Sequence, residues 1–247
     1  EFKMSLARRD LSKIILATVF AAFSFTTVAA QELNEADIKR LALEAILEKP
    51  EILIEALSIL QERENAALVE AQSTALTELR DDFEQNAPIF GNLDGSVTLV
   101  EFFDYNCGYC RRAAPEVKAV LETSKDVRIV YREFPILGPG SEIAARASLA
   151  ARNQGKYQQF HEAMMALNGQ AFEASVMEVA GDVGLDLEVL KTDMQSDLVN
   201  DHIAASLRLA EALRITGTPT FVLGDEIIPG VIERGTLLEK IAALVPE

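Results

Sequence analysis

Over residues 34–83 the apolar side chains recur at helical spacing. Asn34 is placed to cap a first helix, with Glu35 and Asp37 in its first turn, where free backbone N–H groups favour negative charge. Ile38, Leu41, Ala45 and Ile46 then share one face. Pro50 interrupts the pattern and suits the opening of a second helix. In that helix Leu53, Leu57, Leu60, Glu64, Ala67 and Ala71 repeat at alternating steps of four and three, a coiled-coil spacing with one charged seam position. Leu68, Ala75, Leu76 and Leu79 continue an apolar side. The segment is too thin to hold its own core. It must pack on the rest of the chain or on copies of itself, and the heptad-like run favours self-association.

From Ala87-Pro88 onward the period changes. Ile89-Phe90 reads as a short strand before the turn Gly91–Gly95, and Val97–Phe103, β-branched and aromatic, reads as a buried strand. A helix is expected from Cys107 to about Thr123 and a strand over Val127–Tyr131, so 97–134 has the size of a βαβ unit. Helical patterns fill Ser141–Arg214: Ala144–Arg152, Tyr157–Leu167, Phe172–Val183, Leu187–Met194 and Asp201–Leu213. Thr220–Leu223 and Glu226–Ile228 flank Gly224-Asp225 as a hairpin, and a last helix spans about Glu233–Leu244. The expected fold is α/β, a mixed sheet split by a helical insertion at about 140–214 and preceded by an α-helical oligomerisation segment, 31–86.

Residues 1–30 stand apart. Arg8, Arg9 and Lys13 precede a short apolar run, Ile14–Phe25, and Val28-Ala29-Ala30 offers small residues for cleavage before Gln31. This reads as an export signal; a retained anchor is the alternative, though the run is short for a bilayer. The chain carries a net charge of −16. Removing 1–30 takes away four cations (Lys3, Arg8, Arg9, Lys13) and two anions (Glu1, Asp10), leaving −18. That balance argues against nucleic acid and anionic lipid as partners.

Two cysteines are present, as Cys107-Gly108-Tyr109-Cys110, directly after the strand. A helix's first turn brings thiols at this spacing together, and its free N–H groups and dipole favour a thiolate on the first. The thiolate is the species that attacks disulfides. A structural bridge over two residues closes too small a loop to constrain the unfolded chain much, so redox work is the better reading. Zinc would need about four ligands. Beyond the cysteines only His161 and His202 are at hand, in separate helical segments without ligand spacing, and each reads as a surface or core histidine; no metal is expected. Pro219 enters a strand between Thr218 and Thr220, a placement that a cis bond would explain. Glu101 is an acid inside the apolar strand, either outward-facing or buried. Pro115 reads as a kink in the helix after Cys107, and Arg132 and Glu133 receive no role.

Val100–Cys110 and Thr216-Gly217-Thr218-Pro219-Thr220-Phe221 together resemble the two signatures of the DsbA family of exported thiol–disulfide enzymes, over roughly 90–247. The helical extension is similar to that of ScsC-type members, some of which are oligomeric disulfide isomerases. The resemblance implies a thioredoxin-like domain over 87–247 with Cys107 as nucleophile, Cys110 as resolving thiol, and Glu101 as a buried acid exchanging protons with Cys110. It also implies that Thr218 and Pro219 form the wall on which extended substrate pairs. No cofactor beyond the redox-active Cys107–Cys110 pair is expected. The location implied is the periplasm. The partners implied are unfolded or misoxidised exported proteins, a membrane redox partner, and further copies of the chain joined through 31–86, a trimer being one such form. Gly108-Tyr109 and Thr218 resemble isomerases of the DsbC type, and the self-associating helix agrees with them, so isomerase or reductase is favoured. A dithiol oxidase is the alternative, and beyond it a non-catalytic holdase or a copper-tolerance thiol protein.

Overall fold

The computed structural model describes residues 34–246; the expected export signal lies outside them. Contacts divide the chain into two units, with the boundary between Ser58 and Ile59.

In the first unit Asn34 caps α1 (Glu35–Glu48), its side-chain oxygen accepting the Asp37 N–H at 3.0 Å. Surface pairs Lys39–Glu35 and Arg40–Glu44 run along the helix, each worth a few tenths of a kcal/mol at about four residues' spacing. Pro50 directly precedes α2 (Glu51–Glu78). Ile38, Leu47, Ile54 and Leu57 are all more than half exposed.

In the second unit a five-stranded sheet has the order β1-β3-β2-β4-β5. The central strand β2 (Val97–Phe103) pairs in parallel with β3 (Val127–Glu133), from Val97 opposite Val127 to Phe103 opposite Glu133. Connecting them is α3 (Gly108–Thr123), the crossover a parallel pair requires. Antiparallel neighbours complete the sheet: β1 (Ile89–Gly91) on β3, β4 (Thr220–Leu223) on β2, and β5 (Glu226–Pro229) on β4. Between β3 and β4 lies the insertion: α4 (Pro139–Ala151), α5 (Tyr157–Met165), α6 (Glu173–Asp182), α7 (Leu187–Asp193) and α8 (Asp197–Ala212). The chain ends in α9 (Arg234–Leu244).

Strand β2 is apolar almost throughout because both its faces are covered. On one face Leu99, Phe103 and Ile129 pack with Ala113, Val117 and Val120 of α3 and with the insertion. On the other, Val100, Phe102, Val130 and Val222 pack with Leu209 and Leu213 near the end of α8, and with Leu76 and Phe83. Those last two residues move the domain boundary. The change of period suggests 86/87, but the end of α2 and the turn after it are part of the second face's core. Phe83→Ala should therefore destabilise the domain by about 3–5 kcal/mol. In denaturant unfolding, a chain starting at residue 59 should keep the full-length midpoint, and one starting at residue 87 should show a clear loss.

Two further elements extend past their sequence patterns. Strand β3 continues through Arg132 and Glu133, both buried. Arg132 donates to Ser206 Oγ at 3.1 Å and to the Gln85 carbonyl at 3.0 Å, and the Glu133 N–H donates to His202 Nε2 at 3.2 Å. The Arg132 guanidinium is thus bonded inside, whereas burial pushes the Glu133 carboxyl toward its neutral form and leaves its Oε2 without a partner. Helix α8 begins four residues earlier than expected, because Val199 is drawn into the core.

Candidate functional site

Strand β2 ends at Phe103, and the next three residues build the platform for the cysteines. Asp104, almost fully buried, accepts three backbone N–H groups: Asn106 at 2.7 Å, and Ile136 and Leu137 at 2.9 Å each. Its carbonyl accepts the Cys107 N–H at 3.1 Å. Asn106 ties this loop to the insertion, with Oδ1 accepting the Ala171 N–H at 2.7 Å and Nδ2 donating to the Ala171 carbonyl at 3.2 Å. The approach is close enough that a Cβ on Gly140 would stand 2.0 Å from the Ala171 oxygen, so only glycine fits there. Arg111 secures the other side, donating to the Tyr105 carbonyl at 2.8 Å and the Leu167 carbonyl at 3.0 Å. Asp104→Ala strands three donors at once. It should lower unfolding stability by about 2–4 kcal/mol in guanidinium, with Asp104→Asn recovering part of the loss.

Cys107 is the N-cap of α3, and its Sγ accepts the Cys110 N–H at 3.4 Å. The same thiol donates to the Thr218 carbonyl at 3.1 Å. Both cysteines are free thiols. Cys107 is 6% exposed and Cys110 not at all, so the helix-terminal sulfur is the accessible one. Burial pushes the Cys110 thiol well above its ordinary range, and the charge of Glu101 pushes it further.

Glu101 lies in the middle of β2, opposite Tyr131 on one side and Phe221 on the other. It is buried, and its Oε1 has no hydrogen-bond partner. Burial raises its pKa to about 8. Of its two sequence readings, the buried one is correct.

Thr218 and Pro219, joined by a cis peptide bond, stand across from Cys107. The Pro219 carbonyl accepts the Gly230 N–H at 2.8 Å and the Thr220 hydroxyl donates to the Gly217 carbonyl at 2.8 Å, which fixes the loop. Gly108 is exposed. Tyr109 is also exposed, with the Arg112 guanidinium 4.4 Å from its ring centre. The expected residues Glu101, Cys107, Cys110 and Thr218-Pro219 thus come together, and the dipeptide forms their solvent edge.

Sequence reasoning passed over the residues that hold this arrangement. Asp104 and Asn106 could have been found, since Asp-x-Asn before a helix is an Asx-turn signal. The second set could not. Glu133 Oε1 accepts the Tyr157 hydroxyl at 3.0 Å and the Tyr105 hydroxyl at 3.2 Å, and Tyr105 is also 2.6 Å from Ser148 Oγ and 3.0 Å from His161 Nδ1. His161 is held neutral by burial, its pKa lowered to about 3. His202 is lowered to about 3 by burial and then by the Arg132 charge, and sits 2.9 Å from the Asn86 carbonyl. Among the described residues no cluster of three or more His, Cys, Asp or Glu side chains has metal-holding geometry.

Residues 98–242 match the family described as DSBA-like thioredoxin domain. A thioredoxin-like oxidoreductase from Silicibacter pomeroyi DSS-3 is 52% identical, the match covering 64% of this chain and 91% of that one with a TM-score of 0.63. Proteus mirabilis ScsC in a transitional conformation is 28% identical, the match covering 86% of this chain and 97% of that one with a TM-score of 0.64. The Na(+)/H(+) antiporter NhaA 1 of Salinispora arenicola is 31% identical over 133 residues, which are 53% of this chain and 20% of the antiporter. The chain thus spans about a fifth of the length of the first curated relatives it matches.

Proposed function

The chain belongs to the DsbA-like family of thiol–disulfide oxidoreductases, and from that premise we propose that it works outside the cytoplasm, in the periplasm, as a disulfide isomerase or reductase. Its clients are misoxidised exported proteins. The observation that carries this reading is the Cys107 thiol at the α3 N-terminus, bonded to the Thr218 carbonyl beside Pro219. Once deprotonated, the thiol no longer donates to that carbonyl. The sulfur is left with the Cys110 N–H and the helix dipole, and the Thr218 carbonyl is free to accept an N–H from an extended client.

The exchange balances simply. The Cys107 thiolate attacks one sulfur of a client disulfide, forming a mixed disulfide and releasing the client's other sulfur as thiolate. In isomerisation a client thiolate then attacks the mixed disulfide on its client sulfur, forming a new client disulfide and returning the Cys107 thiolate. In reduction the Cys110 thiolate attacks Cys107 Sγ, the client leaves as dithiol, and Cys107–Cys110 becomes the disulfide. A membrane partner reduces it again.

The isomerising direction draws support from Gly108-Tyr109, from Thr218, and from the apolar residues of 34–58 that lie exposed. In our reading those helices join copies of the chain, a trimer being one such form, so that several Cys107 sites face one client and the second engagement is effectively intramolecular. Refolding of a scrambled multi-disulfide protein, run beside oxidation of a dithiol peptide, tests this. The full chain should reshuffle faster than it oxidises. A chain starting at residue 59, which keeps Leu76 and Phe83, should lose reshuffling while oxidation persists or rises. Reshuffling untouched by that truncation overturns the oligomeric reading, and oxidation dominating in both makes the protein a dithiol oxidase.

A further inference from the structure

Beside Pro219 a cleft of about 360 Å³ opens between the loop Arg214–Thr220, the β5 end and α2. Thr218 and Pro219 form one wall, Ile227 and Pro229 supply apolar surface, and Gln72 closes the far side. Gln72 is held there by Nε2 donating to the Leu213 carbonyl at 2.9 Å. On a chain of net charge −16, the charged residue lining this cleft is a cation, Arg214, and no carboxylate lines it.

Two observations mark Arg214. Among the described residues it takes part in no ion pair, and no side-chain hydrogen bond occupies its guanidinium. Its backbone has φ +55°, the left-handed position after α8, which glycine or asparagine ordinarily takes. That turn is held by Arg214 N–H to the Glu211 carbonyl at 3.1 Å and Ile215 N–H to the Ala210 carbonyl at 2.8 Å. An exposed, unpaired arginine at a costly backbone position thus lines the same cleft as Thr218, whose carbonyl accepts from Cys107.

We infer that this cleft is a specificity subsite that takes an acidic side chain flanking the reactive cysteine of a client, with Arg214 as its recognising group. The inference rests on the exchange reading above. A client strand laid along Thr218 has side chains alternating on either side, and one next to its cysteine falls toward the cleft. A carboxylate there meets a guanidinium in its forked geometry, and a lysine meets like charge.

The test uses the full chain with Cys110→Ala, which stops the reaction at the mixed disulfide. The probes are short peptides with one cysteine activated as the thionitrobenzoate disulfide, differing only in Asp, Asn or Lys beside that cysteine. Attack of Cys107 on the peptide sulfur releases thionitrobenzoate, and mass spectrometry identifies the adduct. At low salt the Asp peptide should react about fivefold faster than the Asn peptide and the Lys peptide more slowly, with the spread narrowing as salt rises. Arg214→Ala should flatten the order and Arg214→Glu should invert it. Arg208→Ala, a neighbouring cation that does not line the cleft, should keep it. Equal rates for all three peptides, or an order that survives Arg214→Ala, overturns the subsite while leaving the exchange reading intact. No release with any peptide overturns the exchange reading, and the subsite with it.

Discussion

Cys107→Ser should bring disulfide exchange down to the uncatalysed background, whereas Cys110→Ser should leave the first attack intact and accumulate mixed disulfides with clients. The asymmetry follows from the two sulfurs' surroundings. Cys107 reaches solvent, caps α3 and faces Thr218, so it alone can meet a client disulfide. Cys110 is buried, and its thiol is held well above the ordinary range by desolvation and by the charge of Glu101. In the exchange we propose, it acts only from inside, on Cys107 Sγ. Non-reducing electrophoresis of client mixtures checks both outcomes: adducts with Cys110→Ser, none with Cys107→Ser, and none with the double variant. Adducts persisting without Cys107 would make Cys110 the nucleophile and reverse the roles assigned here.

Glu101→Gln is expected to change strongly how stability depends on pH. Burial raises the folded-state pKa of Glu101 to about 8, against 4.5 for an ordinary side chain. A raised pKa means the folded state holds the proton where the unfolded state has lost it. The stability linked to this group is therefore fully present below pH 4.5 and falls as pH rises, until both states are ionised above pH 8. From pH 5 to pH 9 the wild-type protein should lose about 4 kcal/mol relative to Glu101→Gln. Comparing the two chains as oxidised disulfides cancels every other titrating group and removes the thiols from the balance. Parallel pH profiles would mean that Glu101 is not the buried titrating acid. We propose that the same carboxylate, ionised near pH 8 and close enough for its charge to raise the Cys110 thiol, takes the proton that Cys110 must lose before it resolves a mixed disulfide. Glu101→Gln should accordingly slow reduction by about 10–100-fold and flatten its rise with pH.

Much of this site was legible in the chain. The β-branched and aromatic run Val97–Phe103 reads as a buried strand, and the helix that follows is expected to open at Cys107. The thiol pair and its order follow from that local geometry. Pro219 was legible for a similar reason, since a proline at a strand's entry must mark a special turn. Asp104 and Asn106 were legible but passed over. Arg132 and Glu133 were not: two charges at a strand's end look solvated until Ser206, His202, Tyr105 and Tyr157, from 24 to 74 residues away along the chain, pack over them and bond the Arg132 guanidinium, the Glu133 N–H and Glu133 Oε1.

The sequence by itself determined most element types, the cysteine pair, and its place at a helix N-terminus. These depend on periodicity and on groups within a few residues of one another. Only the tertiary structure decided that Glu101 is buried, that Leu76 and Phe83 belong to the catalytic domain's core, and that Arg214 lines a cleft beside Pro219. The physical reason is common to all three. Whether a side chain is covered, and what its charge then meets, depends on which distant segments pack over it, and a linear pattern does not carry that information.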